Sequence, residues 1–191
     1  MPRIICEQKK TQSSLIDGVP RVTSIITRYH PYPFEVAQKY LDAGTDLHAA
    51  CERVSRGEVL DQMDQYYLQA KSYQTWLKYS GLTVYLVEER LTSEALGCTG
   101  KPDAIFRDAR GNFVVCDLKS GALSETHTRL QTACYALLLS EQVGVSTRRI
   151  RRSALVNLMD CKPTLHVFGD KQDLVDARAM LKKYNKDEKC R

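Results

Sequence analysis

Asn112-Phe-Val-Val-Cys-Asp-Leu-Lys119 is the stretch from which the rest of the chain can be read. Phe113 to Cys116 are apolar without interruption, and a carboxylate, a leucine and an ammonium follow. A run this short and this apolar suits a strand covered on both faces, the environment of a central strand between two helical layers. Strand side chains alternate, so Asp117 and Lys119 point to one face, about 6–7 Å apart along the strand, while Leu118 enters the opposite layer. An acid in that position is costly to bury ionised unless something cationic meets it.

Two strand-like segments precede it, residues 83–91 and 99–107, the second joined to it by the turn Asp108-Ala-Arg-Gly-Asn112. The three should form a meander. Residues 125–141 then read as a strong helix with Leu130, Ala133, Cys134, Leu137 and Leu138 on its buried stripe. Residues 153–159 and 164–168 read as two more strands, and 170–184 as a closing helix capped by Asp170.

Upstream lie a short apolar piece at 22–26, a turn bracketed by Pro31 and Pro33, and two helical stretches at 34–41 and 44–55, broken near Gly44. Leu47, Cys51 and Val54 share one face of the second. Residues 62–79 repeat Tyr66, Ala70, Tyr73, Trp76 and Leu77 at helical spacing, a stripe read as core, and stop at Ser80-Gly81. The order is helices, three strands, helix, strands and helix, an α/β alternation around a central strand covered on both faces. We expect one domain over 1–191, with a polar N-terminal arm at 1–20 and a polar tail at 185–191.

Composition narrows the classes. The chain has 191 residues, 43% apolar and 8% aromatic, which excludes collagen, coiled coil and wholesale disorder. Lys plus Arg number 28 against 23 Asp plus Glu, a net charge of +5 that is compatible with a polyanionic partner but does not demand one. The seven cysteines are scattered, with no Cys-x-x-Cys pair, as expected in a reducing compartment, and no iron–sulfur cluster is expected. Without an apolar signal region or a run of about 18 apolar residues, the expected location is the cytoplasm, with no membrane contact.

Chemistry concentrates in the strand block. Glu88 or Glu89, Gly100-Lys-Pro-Asp103 and Asp117-Leu-Lys119 stand there, with Gln131 and Tyr135 one helical turn apart on the next helix. Lys119 alone does not satisfy Asp117, Asp103 and Glu88, whereas a divalent metal would. Mg²⁺ takes oxygen ligands, commonly one or two carboxylates plus waters and phosphate oxygens, and Asp103 and Asp117 can supply that pair. Lys119 could orient a water or offset developing negative charge, and the reaction implied is phosphodiester hydrolysis. There is no Gly-x-Ser-x-Gly elbow and no Cys–His pair with an orienter for a nucleophile hydrolase. His48 alone reads either as a ligand or as a hydrogen-bonded core histidine, and His30, His127 and His166 as structural. Arg148, Arg149, Arg151 and Arg152 read either as a phosphate-tracking groove or as a solvated linker.

Gly-x-x-Asp (100–103), Asp-x-Lys (117–119) and Gln-x-x-x-Tyr (131–135), in that order, resemble the PD-(D/E)XK nuclease superfamily, in its RecB-like and lambda-exonuclease-like branch. Gly44-Thr-Asp-Leu-His48 resembles the branch's preceding helix, which implies His48 as a metal ligand beside Asp103 and Asp117. Val87-Glu-Glu-Arg-Leu91 resembles its acid-bearing strand end, with Glu88 the better match and Glu89 still open. The resemblance implies an α/β fold with a mixed central β-sheet flanked by helices, a restriction-endonuclease-like α-β-β-β-α-β core that agrees with the order read above, with Glu88, Asp103, Asp117, Lys119, Gln131 and Tyr135 in the catalytic site. It implies Mg²⁺, with Mn²⁺ able to substitute, and single- or double-stranded DNA ends as substrate. The expected activity is that of an exonuclease in recombination, repair or end processing, in a bacterium or a phage-infected host, with a single-strand annealing protein as partner. A structure-specific endonuclease would use the same site, and a catalytically silent nucleic-acid-binding module is the other alternative. The four-cysteine iron–sulfur site of some relatives has no counterpart in this sequence.

Overall fold

The computed structural model describes residues 15–16, 18–31, 37–121 and 123–190. Phe113–Leu118 is buried at every position, as its continuous apolar run requires, and the other elements are arranged around it. In chain order they are β1 (Leu15–Ile16), β2 (Val19–Pro20), α1 (Val22–Tyr29), α2 (Gln38–Ser55), α3 (Tyr67–Tyr79), β3 (Thr83–Val87), β4 (Leu91–Ser93), β5 (Cys98–Gly100), β6 (Ala104–Arg107), β7 (Phe113–Leu118), α4 (Glu125–Val143), β8 (Ile150–Val156), β9 (Thr164–Phe168) and α5 (Gln172–Lys189).

The main sheet has five strands in the order β3-β6-β7-β8-β9. β3, β6 and β7 form the expected antiparallel meander; β8 joins β7 in parallel and β9 closes the sheet antiparallel. A parallel neighbour needs a crossover, and α4 supplies it. On one face α1, α4 and α5 pack Ile25, Ile26, Leu137, Leu138, Ala177 and Leu181 with Ile105, Phe113 and Val115 of the sheet. On the other, Leu47, Cys51, Ala70 and Tyr73 of α2 and α3 pack with Phe106, Val114, Cys116 and Leu118. The aromatic stripe is core: Tyr73 stacks on Trp76 at 5.9 Å between ring centroids, and Trp76 meets Phe106 edge-on at 6.0 Å.

Several boundaries depart from the sequence reading, each for a local reason. The strand read at 83–91 stops at Val87, because Glu88 turns the chain with a φ of +52°. The strand read at 99–107 is split between Gly100 and Ala104 at Pro102, which has no amide to donate to a ladder. The pieces thus released, β4 and β5, form a ribbon of their own on α4, where Ser93 Oγ donates to Glu141 at 2.5 Å. Gly44 does not break its helix: α2 runs through it from Gln38 to Ser55. A glycine inside a helix costs only about 1 kcal/mol against alanine, less than the burial of Leu47, Ala50, Cys51 and Val54 gives back. The turn at Pro33 and the start of the helix read at 34–41 lie outside the described residues, as does most of the N-terminal arm.

The closing helix reaches Lys189 rather than ending at Tyr184. Its last turns are tied to α1, with Tyr29 Oη donating to Asp187 at 2.7 Å and Arg28 paired with Glu188 at 2.5 Å. Nearer its start, Asp173 is buried and takes two cations. Arg152 of β8 lies 2.7 Å from its Oδ2, and Arg129 of α4 lies 2.5 Å from its Oδ1. Arg152 is itself 4% exposed and also donates to the Asp170 carbonyl. Removing the acid leaves a guanidinium buried without its counter-charge. Asp173→Ala should therefore cost about 3–5 kcal/mol, read as a lower urea midpoint at an unchanged slope.

Candidate functional site

The end of β3, the start of β6 and the end of β7 meet at one edge of the sheet because the three strands are antiparallel. Val87 pairs with Ala104, so the next position places Glu88 beside Asp103, and the Glu88 amide donates to the Asp103 carbonyl at 3.2 Å. Across β7, Asp103 Oδ2 accepts the Leu118 amide at 2.6 Å. His48 comes from α2 on the opposite layer and sets its Nδ1 3.5 Å from Asp103 Oδ1. His48, Glu88 and Asp103 each offer one ligand atom, and the three atoms lie within 4.8 Å of one another. Glu89 is exposed, so of the two glutamates Glu88 faces the cluster.

Asp117 stands beside this trio rather than within it, because its carboxylate is drawn the other way. Gln131 Nε2 of α4 donates to its Oδ1 at 2.9 Å, and Lys119 Nζ lies 2.8 Å from its Oδ2. The sequence placed Asp103 and Asp117 with His48 as ligands; the three-way group contains Glu88 where Asp117 was expected. Oδ2 of Asp117 is buried and, apart from the Lys119 ion pair, receives no aligned hydrogen bond.

Burial raises the Asp117 carboxyl to about 6, against the pull of Lys119 and with the help of neighbouring Asp103. Burial also acts to raise Asp103, but His48, Lys119 and the Leu118 amide outweigh it and hold that carboxyl below its ordinary value. Burial opposes charge on His48, and the Asp103 carboxylate overcomes it, so the imidazole holds its proton more tightly than usual. Two acids of the same kind are thus pushed apart, one toward the neutral form and one toward the charged form. A divalent cation would favour the ionised form of both.

Gly100 and Tyr135 belong to the same construction. A Cβ on Gly100 would lie 2.5 Å from Cε1 and 2.8 Å from Cδ1 of the Tyr135 ring, so no other residue admits the ring there. Tyr135 is buried, and Gln131 Nε2 lies 3.3 Å from its hydroxyl while donating to Asp117. Gly100, Tyr135, Gln131 and Asp117 thus form one contact chain across the sheet–helix interface. The sequence reading missed Lys101, whose Nζ lies 2.5 Å from Glu88 Oε2. Its signal was its place between Gly100 and the cluster's aspartate.

The arginine run lies elsewhere. β8 is parallel to β7, with Ile150 opposite Phe113 and Arg151 opposite Val114, so Arg148, Arg149 and Arg151 lie toward the far end of the strands, the nearest of them, Arg151, about 10 Å of strand from the level of Asp117. Arg151 pairs with Asp108 at 3.3 Å. Arg152 corrects the expectation of a phosphate contact, since it is buried and committed to Asp173.

The family model of the PD-(D/E)XK nuclease superfamily matches residues 26–188. The chain belongs to this superfamily. Among solved structures, a candidate exonuclease from Eubacterium rectale is similar with a TM-score of 0.42 and 14% identity, over 86% of this chain and 73% of its own. The protein SSO0001 is similar with a TM-score of 0.33 and 14% identity, over 84% and 81%. No curated protein matches the chain. Nuclease membership makes nucleic acid the substrate class and a divalent metal the cofactor class, and the donor set at the sheet edge fits such an ion: one imidazole and one oxygen from each of two carboxylates. No helix among the described residues is long and apolar enough to cross a membrane.

The contact chain is open to a direct test. Gly100→Ala must displace the Tyr135 ring and should destabilise the nuclease by about 1–3 kcal/mol in chemical unfolding. Tyr135→Phe keeps the ring, loses only the Gln131 contact and should cost about 1 kcal/mol or less.

Proposed function

We propose that this nuclease is a Mg²⁺-dependent DNA exonuclease, with Mn²⁺ able to substitute, acting on strand ends in recombination, repair or end processing. The observation that carries the metal dependence is the trio of ligand atoms on His48, Glu88 and Asp103 within 4.8 Å of one another, beside the paired Asp117 and Lys119. The ordered Gly-x-x-Asp, Asp-x-Lys and Gln-x-x-x-Tyr motifs support the exonuclease reading through their resemblance to the RecB-like and lambda-exonuclease-like branch. The same resemblance supports a cytoplasmic setting, bacterial or phage-related, and a single-strand annealing protein as partner.

His48, Glu88 and Asp103 would hold the ion, with Asp117 beside them on the neighbouring strand, paired with Lys119. Bound there, the ion supplies a polarised phosphate oxygen and an acidified water. The chain's own groups do the rest. Lys119, with its side chain 27% exposed, reaches solvent beside Asp117 and can orient the attacking water and offset charge gathering on the phosphate. Gln131 fixes the Asp117 carboxylate from α4, and Tyr135 braces Gln131. His48 reaches Asp103 from the other layer and fixes its Oδ1.

End-labelled linear DNA should be degraded with Mg²⁺ and spared with EDTA, while closed circular DNA should persist. Asp103→Asn and Lys119→Ala should each reduce the rate by about 100-fold or more. Cleavage of the circle, or equal cleavage by Asp103→Asn, contradicts the proposal.

The metal should also be visible in stability. Asp117 and His48 hold protons more tightly folded than unfolded, so the stability they contribute is present at low pH. For Asp117 it is lost as pH rises from the ordinary aspartate range through about 6, and for His48 as pH rises above the ordinary histidine value. Asp103 is shifted the other way and acts only below the ordinary aspartate range. The EDTA-treated protein should therefore lose stability from pH 5 to pH 8 at this site. Mn²⁺ should raise Tm by more at pH 8 than at pH 5, where protons compete for the same groups; a gain independent of pH argues against ligation by these groups.

A further inference from the structure

Lys101 has no part in the chemistry above, yet it contacts the metal cluster directly. It stands two residues before Asp103, and its Nζ lies 2.5 Å from Glu88 Oε2. Its side chain is 51% exposed and that of Glu88 only 17%, so the ammonium approaches from solvent onto a half-sheltered carboxylate. Glu88 also belongs to the trio of potential ligands. A dication entering among His48, Glu88 and Asp103 would meet an ammonium already touching one of its three ligands, and like charges at that separation repel strongly. Among the described residues, the other carboxylate of the trio carries no such ion pair with a lysine. Asp103 is held by the Leu118 amide and faces His48.

A lysine suits displacement. Its charge rides on a flexible four-carbon stem, and leaving Glu88 for water or another anion breaks a partly exposed ion pair of modest strength. Lys101 also lines a small cavity with Arg21, Arg90, Gly100 and Tyr135, so there is open space beside it into which the ammonium can turn.

We infer that Lys101 is a place-holder cation: it neutralises Glu88 in the metal-free nuclease, gives that carboxylate up to the incoming dication, and then pairs with a backbone phosphate of the bound nucleic acid. The inference rests on the metal-dependent nuclease reading above. One ammonium serves two anions in turn. Metal binding frees it for the phosphate, and the phosphate draws it away from Glu88. Metal and nucleic acid therefore bind with positive coupling, and the coupling is reciprocal. Lys101 acts on the metal through Glu88 and is a positioning residue.

The experiment is Mn²⁺ titration calorimetry on the wild type, Lys101→Met, Lys101→Gln and Lys101→Arg. It is joined by fluorescence anisotropy with a labelled phosphorothioate oligonucleotide, which resists hydrolysis, in EDTA and in Mn²⁺. Lys101→Met and Lys101→Gln should bind Mn²⁺ about 5-fold more tightly than wild type, and Lys101→Arg about as wild type does. The same two variants should bind the oligonucleotide about 3- to 10-fold more weakly in Mn²⁺ and nearly as wild type in EDTA. A lysine that merely supports the fold would weaken metal binding when removed, and one that simply touches phosphate would show its loss in both buffers. Either result overturns the inference. Wild type that takes up no Mn²⁺ overturns the metal reading and the place-holder with it, whereas normal Mn²⁺ uptake by wild type with no tightening in Lys101→Met overturns the place-holder alone.

Discussion

The structure depends on charge crowded at one end of an otherwise apolar sheet. Asp103 and Asp117 sit on adjacent strands, and Glu88 follows the strand beyond; each is more than four-fifths withdrawn from water. Isolated, such groups would abandon their charge or unfold the strand ends. Each instead has one nearby cation or potential cation: His48 for Asp103, Lys119 for Asp117 and Lys101 for Glu88. The three partners come from a helix, from the same strand end and from the loop after β5, so the site closes only when both helical layers and the β4–β5 ribbon are in place. Folding and site assembly are one event.

Much of this was legible in the sequence. The apolar run ending in Asp-Leu-Lys read as a central strand, and its alternation placed Asp117 on one face and Leu118 on the other, as they are found, with Asp117 toward α4. Most of the helices followed from the spacing of their apolar positions. What spacing could not give was the break at Glu88 and Pro102. A strand pattern reads through a residue with positive φ, because the preference lost there is repaid by contacts from elsewhere, here the pairing of Glu88 with Lys101 and with the Asp103 backbone. The ligand grouping was hidden for the same reason. Whether Asp117 or Glu88 completes the trio with His48 depends on the direction in which Gln131 and Lys119 draw the Asp117 carboxylate, and that is set across the interface.

The basic excess proved a poor guide to where an anion would meet the surface. The densest run of arginines lies toward the end of β8 away from the carboxylates, and its most buried member spends its charge inside the fold on Asp173. Arg28, Arg53, Arg56 and Arg129 are likewise paired with acids from helices or loops. Clustering in sequence measures local density of charge, whereas a polyanion responds to what remains uncompensated in space. At the carboxylate end Lys101 and Lys119 are paired with Glu88 and Asp117 at the cluster itself, and Arg21 and Arg90 line the cavity beside Gly100.

The requirement for glycine at position 100 connects these points. Tyr135 can lie flat against β5 only because no side chain stands there, and from that place its hydroxyl meets the amide of Gln131 that holds Asp117. The ring is part of the core under α4, so the orientation of a buried carboxylate is fixed by hydrophobic packing two contacts away. Packed interiors deform little, and a site braced in this way loses little ordering entropy when an ion arrives. Lys101 and Lys119 are the members of the site that carry their charge on long stems reaching solvent. Rigid acids and movable ammoniums are the division of labour expected where a small dication must be placed accurately and a long, variable polyanion must be received beside it.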